Sequence, residues 1–231
     1  MAAQPHDEVA FDKWRFGSIV NTGKNARCIP VNDGASFPPV PPKIQLCTDH
    51  DPALEILQMS REGESWSLTV KVPEESPLSR SLQTLDQFAL RAAETQSVEL
   101  FKKQFKSDQL LQLYRPTVKD SLLTLTVNAD VQVWKLLDAA AGDDVDKKFC
   151  DAVLEDLVPG VRVWLCAEVK AFYFLPRSFG IALSASDVLV LPAKRPKVFP
   201  FVSRTRRFSY EPSVAATAPS PDPEEDEEED A

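Results

Sequence analysis

Val161-Arg162-Val163-Trp164-Leu165-Cys166-Ala167-Glu168-Val169-Lys170 alternates apolar and polar residues without interruption. Successive side chains of a strand point to opposite faces, so Val161, Val163, Leu165, Ala167 and Val169 are expected to face a core. Arg162, Trp164, Cys166, Glu168 and Lys170 then face outward, and Phe172 and Phe174 continue that parity provided no bulge intervenes. Pro176-Arg177-Ser178-Phe179-Gly180 turns the chain, and Ile181–Leu191 reads as the returning strand. This hairpin sets the class: a β-rich body.

Upstream, Ser65–Val72 alternates in the same way, with Trp66, Leu68, Val70 and Val72 on one face. Further strand signals fall at Trp14–Val20, Arg27–Val31, Lys43–Cys47, Leu54–Met59, Leu122–Val127 and Val131–Leu136. Between them the period changes. From Ser81, the apolar residues Leu82, Leu85, Phe88, Ala89 and Ala92 recur at helical spacing. Shorter helices are expected over Ser97–Phe105 and Lys147–Leu157, and Leu110–Tyr114 closes against Pro116. The lysines at 102, 103 and 106 flank the apolar stripe of the Ser97–Phe105 helix and read as a solvated helix face. Phe37-Pro38-Pro39-Val40-Pro41-Pro42 is a stiff connector or a polyproline ligand.

Charge is concentrated at one end. From Asp222 to Asp230 every residue but Pro223 is acidic, and without that run 27 acids face 26 bases. Such a run cannot bury enough surface to offset the entropy of ordering, so a disordered acidic tail is expected, with order ending near Tyr210. Glu211–Pro221 reads as a flexible linker. Met1–Asp12 has no apolar run of the signal-peptide kind, and no stretch has the length of a membrane span. An intracellular location is expected, in the cytoplasm or nucleus.

Catalytic and metal signals are sparse. Cys28, Cys47, Cys150 and Cys166 form no C-x-x-C pair, which argues for free thiols rather than zinc. His6 falls in a loose N-terminus and His50 in an acidic turn. No Gly-rich phosphate loop, nucleophile elbow or H-E-x-x-H helix is present. We expect no enzyme activity, no cofactor and no metal.

A polar face that mixes aromatics with cations suits single-stranded nucleic acid, because rings stack on unpaired bases while cations hold phosphates. Trp164, Phe172, Tyr173, Phe174 and Phe179, with Arg162, Lys170 and Arg177, supply that mixture. A second basic stretch follows, in which Lys194, Arg195, Lys197, Arg204, Arg206 and Arg207 are interleaved with Phe199, Phe201, Phe208 and Tyr210. It reads as an arm that clamps a strand or as a nuclear-localisation patch. The adjoining acidic tail can compete for a cationic groove intramolecularly.

Several motifs in order carry a resemblance: Trp14-Arg15-Phe16-Gly17, Leu82-x-x-Leu85-Asp86, Phe101-Lys102-Lys103, Tyr114-Arg115-Pro116-Thr117-Val118-Lys119 and Phe179-Gly180-Ile181-Ala182-Leu183. Over residues 14–191 the chain resembles the single-stranded-DNA-binding proteins of large nucleocytoplasmic DNA viruses. The resemblance implies an α+β chain built on an oligonucleotide-binding (OB-like) Greek-key β-barrel with inserted helices. Together with the composition, the expected organisation is a flexible N-terminus at 1–13, an OB-like single-stranded-DNA-binding domain at 14–193 with its helical insertion around 80–115, a basic aromatic arm at 194–210, and a linker and acidic tail at 211–231. The tail is similar to those of bacteriophage and bacterial single-stranded-DNA-binding proteins, which contact replication partners, but it lacks their aromatic tip and ends in Asp230-Ala231.

The expected nucleic-acid contacts are Trp164, Arg162, Lys170, Phe172, Phe174, Arg177, Lys194, Arg195, Arg204, Arg206 and Arg207. The expected partners are single-stranded DNA and, through the tail, replication proteins. The role would lie in DNA replication, recombination or repair. Two other classes remain open: an acidic-tailed chaperone gripping basic proteins, and a structural or virion protein using its proline-rich and acidic segments as arms.

Overall fold

The computed structural model describes residues 3–23, 26–48, 51–63, 65–136 and 149–192. The expectations for His50, for the basic arm with Lys194, Arg195, Arg204, Arg206 and Arg207, and for the acidic tail lie outside the described residues.

In chain order the first strands are β1 (Gln4–Pro5), β2 (Arg15–Phe16), β3 (Val20–Gly23), β4 (Ala26–Asn32) and β5 (Lys43–Gln45). The long β6 (Leu54–Glu62) and β7 (Ser65–Lys71) follow, then helices α1 (Pro77–Thr95), α2 (Ser97–Phe101) and α3 (Ser107–Leu113). Two short strands, β8 (Tyr114–Arg115) and β9 (Val118–Lys119), lead into β10 (Leu122–Leu136). The chain closes with β11 (Phe149–Asp151), β12 (Arg162–Leu175) and β13 (Ser178–Val190). The fold is a mostly-sheet α+β arrangement.

Five long strands pair in a circuit. β6 pairs antiparallel with β7, β7 with β10, and β10 runs parallel to β13. β13 pairs antiparallel with β12, and β12 returns to β6 through Arg162 opposite Glu55 and Val163 opposite Leu54. Inside the circuit Ile56, Leu68, Val70, Leu125, Val127, Val163, Leu165 and Val188 are buried. The alternation of β7 and of the first half of β12 is therefore real. Val131–Leu136 is not a separate strand but the continuation of β10, whose register with β13 shifts between Val127 and Gln132.

One irregularity reverses an expectation. Opposite β13, Val169 pairs with Leu183 and Ala171 with Ala182, so Lys170 is an extra residue on β12. A bulge of one residue flips everything beyond it to the other face. Phe172 and Phe174 therefore point inward and are only 2% and 4% exposed, not outward as the unbroken pattern implied. Phe172 packs against Phe16 at 5.3 Å, and Phe174 stacks on Phe179 at 5.7 Å. Neither ring can stack a base.

The helices cover this aromatic cluster. Helix α1 starts at Pro77, four residues before the sequence suggested. Ser76 caps it by accepting from the Ser79 amide at 3.1 Å, and Pro77 suits a first-turn position because its missing N–H is not needed there. Leu78, Leu82, Leu85, Ala89 and Ala93 are its buried stripe. Helix α2 stops at Phe101 rather than Phe105 because Lys102 takes a left-handed conformation, φ 58°. The helix expected over Lys147–Leu157 is, in its described part, the strand β11 and a single 3₁₀ turn at Leu154–Asp156. The described cysteines are free thiols, and burial pushes Cys47 and Cys166 up to about 11.

The N-terminal segment is docked rather than loose. β1 pairs in parallel with β5, and His6 is 3% exposed. Its Nε2–H donates to the Asp51 carboxylate at 2.8 Å, and Nδ1 is hydrogen-bonded to the Ser81 hydroxyl at 3.0 Å. Serine, histidine and aspartate thus meet, but the imidazole is enclosed. None of the three lines a groove described below, and their arrangement ties the N-terminus to α1.

Candidate nucleic-acid interface

The β12–β13 hairpin carries a groove on each side. Adjacent residues of an extended strand face opposite ways, so Tyr173 projects to one side and Phe174 to the other. On the Phe174 side lies a groove of about 680 Å³. The β3–β4 hairpin contributes Asn21, Gly23, Ala26 and Arg27, and α2 contributes Leu100, Phe101 and Lys102. Phe105, Leu113, Leu175 and Pro176 are also among its lining, and none of the described lining residues is acidic.

Its parts are held in place by identifiable contacts. The Arg27 guanidinium donates to the Leu100 carbonyl at 2.7 Å, which fastens β4 to the end of α2. Phe101 is half-buried and braced edge-on by Phe174 at 5.4 Å and Phe179 at 5.6 Å. Phe105, also half-buried, meets Phe101 edge-on at 5.2 Å, and the Lys103 ammonium sits 5.5 Å from its ring centroid. The left-handed turn at Lys102 produces this layout: it ends the helix and brings Phe105 back onto Phe101. Lys102 is exposed and makes no ion pair with a described residue. Such a groove can hold flat, uncharged groups against its rings and anions at its rim.

On the Tyr173 side the second groove, about 710 Å³, is lined by the Tyr114–Thr117 segment, Lys119, Asp120, Leu122, Thr124, Tyr173, Ile181 and Leu183. Tyr173 lies across its cross-strand partner Gly180, where an added Cβ would come within 2.7 Å of the tyrosine oxygen. Only glycine admits the ring there. Burial raises the Tyr173 pKa, with the nearby Arg115 charge opposing it. The groove wall is anchored from α1. Asp86 accepts from the Tyr114 hydroxyl at 2.7 Å and the Thr117 amide at 3.1 Å, and also from the Thr117 hydroxyl.

The residues expected from sequence are scattered relative to these grooves. Arg177 is exposed at the hairpin tip and lines neither groove, and Phe174 lines the first. Trp164 stands elsewhere, in an outward row across three strands: Trp134 on β10, Leu189 on β13 and Trp164 on β12. Arg162 is at the far end of β12 and donates to the Pro192 carbonyl at 3.3 Å. Lys170 pairs with Glu168, whose carboxylate also meets Lys43 at 3.4 Å, while Lys43 is 3.8 Å from Asp187. Its charge is largely offset.

Sequence reasoning missed Arg27, Phe105 and Arg115 as site residues and treated Lys102 as part of a helix face. The available signal was Phe101-Lys102-Lys103-Gln104-Phe105, which interleaves rings and cations as the chosen strand did.

A mostly-sheet α+β domain with a cationic, aromatic groove beside its last hairpin is the class the geometry defines. The chain belongs to a family of unknown function, DUF5871, whose model matches residues 59–202. No curated protein matches it. Among solved structures it is similar to the single-stranded DNA-binding protein from bacteriophage Enc34, at 10% identity and a TM-score of 0.38, over 82% of this chain and 96% of that one.

Proposed function

We propose that the protein binds single-stranded DNA, without catalysing a reaction, in replication, recombination or repair. The observation that carries this reading is the first groove: Phe101 and Phe105 present half-buried rings alongside Arg27 and Lys102, and none of its described lining residues is acidic. Bases stack on such rings, at about 1–3 kcal/mol each, and phosphates sit on the cations.

We read the five-strand circuit as an OB-like Greek-key barrel, with β6, β7, β10, β12 and β13 as its strands and α1–α3 inserted between the second and third. Two motifs of the viral single-stranded-DNA-binding resemblance meet in space, since Asp86 of the first holds Tyr114 and Thr117 of the second. This favours membership of that class, and with it a site of action at the viral or nuclear replication machinery. The acidic run at 222–230 is proposed to compete with DNA for the groove and to contact replication proteins.

The test is fluorescence anisotropy of labelled oligo-dT, oligo-rU and duplex DNA at low and moderate salt. Tight, salt-dependent binding of oligo-dT with weaker duplex binding supports the reading. No binding of oligo-dT at low salt rejects it. Preference for oligo-rU moves the partner to RNA.

A further inference from the structure

We propose that the second groove is a separate base-binding subsite, in which Tyr173 stacks a nucleobase and Arg115 and Lys119 hold the flanking phosphates. Resting on the single-stranded-DNA reading, it places one strand across both sides of the β12–β13 hairpin and over the tip at Arg177.

Four observations carry the subsite. The Tyr173 ring is half-buried on Gly180, which fixes its plane, yet its hydroxyl makes no hydrogen bond to a described residue. Arg115 and Lys119 are exposed and make no ion pair with a described residue, although Asp120 stands beside them. Leu122, 37% exposed, and Ile181 give the floor an apolar surface that a base would cover. The wall is rigid, because Asp86 holds Tyr114 and Thr117 from beneath. A neutral small molecule would make no use of two unpaired cations flanking a ring, whereas a polyanion with flat bases uses both.

The two grooves share the hairpin. Phe174, Leu175 and Pro176 line the first, while Tyr173 and Ile181 line the second. Arg177, exposed in the turn that joins β12 to β13, offers a cation at the end of the hairpin that both grooves border. A short oligonucleotide fills one groove only; a longer one fills both.

The experiment measures anisotropy of oligo-dT of about 4 and about 16 nucleotides, the range of site sizes for one such domain. The proteins are wild type, Tyr173→Ala, Arg115→Ala/Lys119→Ala and Lys102→Ala/Phe105→Ala. The groove-two variants are expected to lose at least about fivefold on the long oligonucleotide and to bind the short one within about twofold of wild type. The groove-one variant loses affinity for both. Wild-type binding that neither groove-two variant weakens overturns the subsite and leaves the function standing. Absence of wild-type binding removes the function itself. Photo-crosslinking of wild type with iododeoxyuridine-substituted oligo-dT needs no variant to fold. An adduct at Tyr173 supports the subsite, and adducts confined to the Phe101–Phe105 segment overturn it.

Discussion

The carboxylate of Asp86, on helix α1, accepts hydrogen bonds from both the backbone amide and the hydroxyl of Thr117, thirty-one residues later in the chain. With the Tyr114 hydroxyl as a third donor, one half-buried side chain fixes the Tyr114–Thr117 wall of the second groove. Its pKa lies above the ordinary carboxylate value of 3.8 because burial outweighs the donors from Thr117 and Tyr114. The folded state therefore holds the proton more tightly than the unfolded chain. The stabilisation tied to that proton is fully present below pH 3.8 and fades as pH rises through the folded-state pKa.

Asp86→Ala leaves three donors without their partner, and a loss of about 2–4 kcal/mol is expected in urea denaturation near neutral pH. Asp86→Asn removes the titration while keeping the shape. The stability difference between wild type and Asp86→Asn is therefore expected to move in favour of the variant as pH rises from 3.8 through the folded-state pKa, and to be flat beyond it. A difference that grows in favour of wild type over that range would show that the hydrogen bonds outweigh burial.

Phe172 tests the bulge. An outward Phe172 would lose little on truncation, whereas the observed ring is buried among Phe16 and Phe88. Phe172→Ala is expected to cost about 3–5 kcal/mol, read from the urea midpoint at unchanged m-value. A loss under about 1 kcal/mol would return the ring to the surface.

This pair of residues shows what was legible in the chain. Alternation fixed which faces of β7 and the first half of β12 are inside, because hydrophobic burial needs no partner to be named. The extra residue at Lys170 left no such mark: a lysine is as acceptable in a bulge as in an outward position, and the residues after it read sensibly in either parity. Register comes from the pairing of Val169 with Leu183 and Ala171 with Ala182, which one strand cannot reveal. The site suffered the same limit. The basic and aromatic composition was visible, but charge pairing is a three-dimensional fact, and Glu168 lies against Lys170 only once both project from the same face. The helix start is readable in Ser76 followed by Pro77, a capping pair that precedes the apolar periodicity beginning at Leu82.

The cations should divide by whether they are paired. Lys102 and Arg177 are unpaired among the described residues, whereas Lys170 is engaged by Glu168. Each phosphate contact on a single strand contributes about 0.7 to the slope of log affinity against log salt. Lys102→Ala and Arg177→Ala are each expected to flatten that slope by up to this amount and to weaken oligo-dT binding severalfold at low salt. Lys170→Ala should leave the slope unchanged. The measurement is oligo-dT anisotropy across four salt concentrations. Equal effects of all three substitutions would mean that overall charge, not the groove, governs binding.

Removing residues 211–231 separates the tail from the body. The tail holds eight of the chain's 35 acidic residues between 222 and 230, and a tethered polyanion acts at an effective concentration near the millimolar range. If it competes for the same cations as DNA, deletion raises the affinity for oligo-dT at low salt. The gain should shrink as salt screens both interactions, since exposed charges beyond about 10 Å scarcely interact at 0.1 M. Adding the tail as a free peptide in trans should then lower binding of the truncated protein, with Lys102→Ala less sensitive to it than wild-type groove residues. An affinity unchanged by deletion at every salt concentration assigns the tail no part in the groove and leaves protein partners as its remaining use.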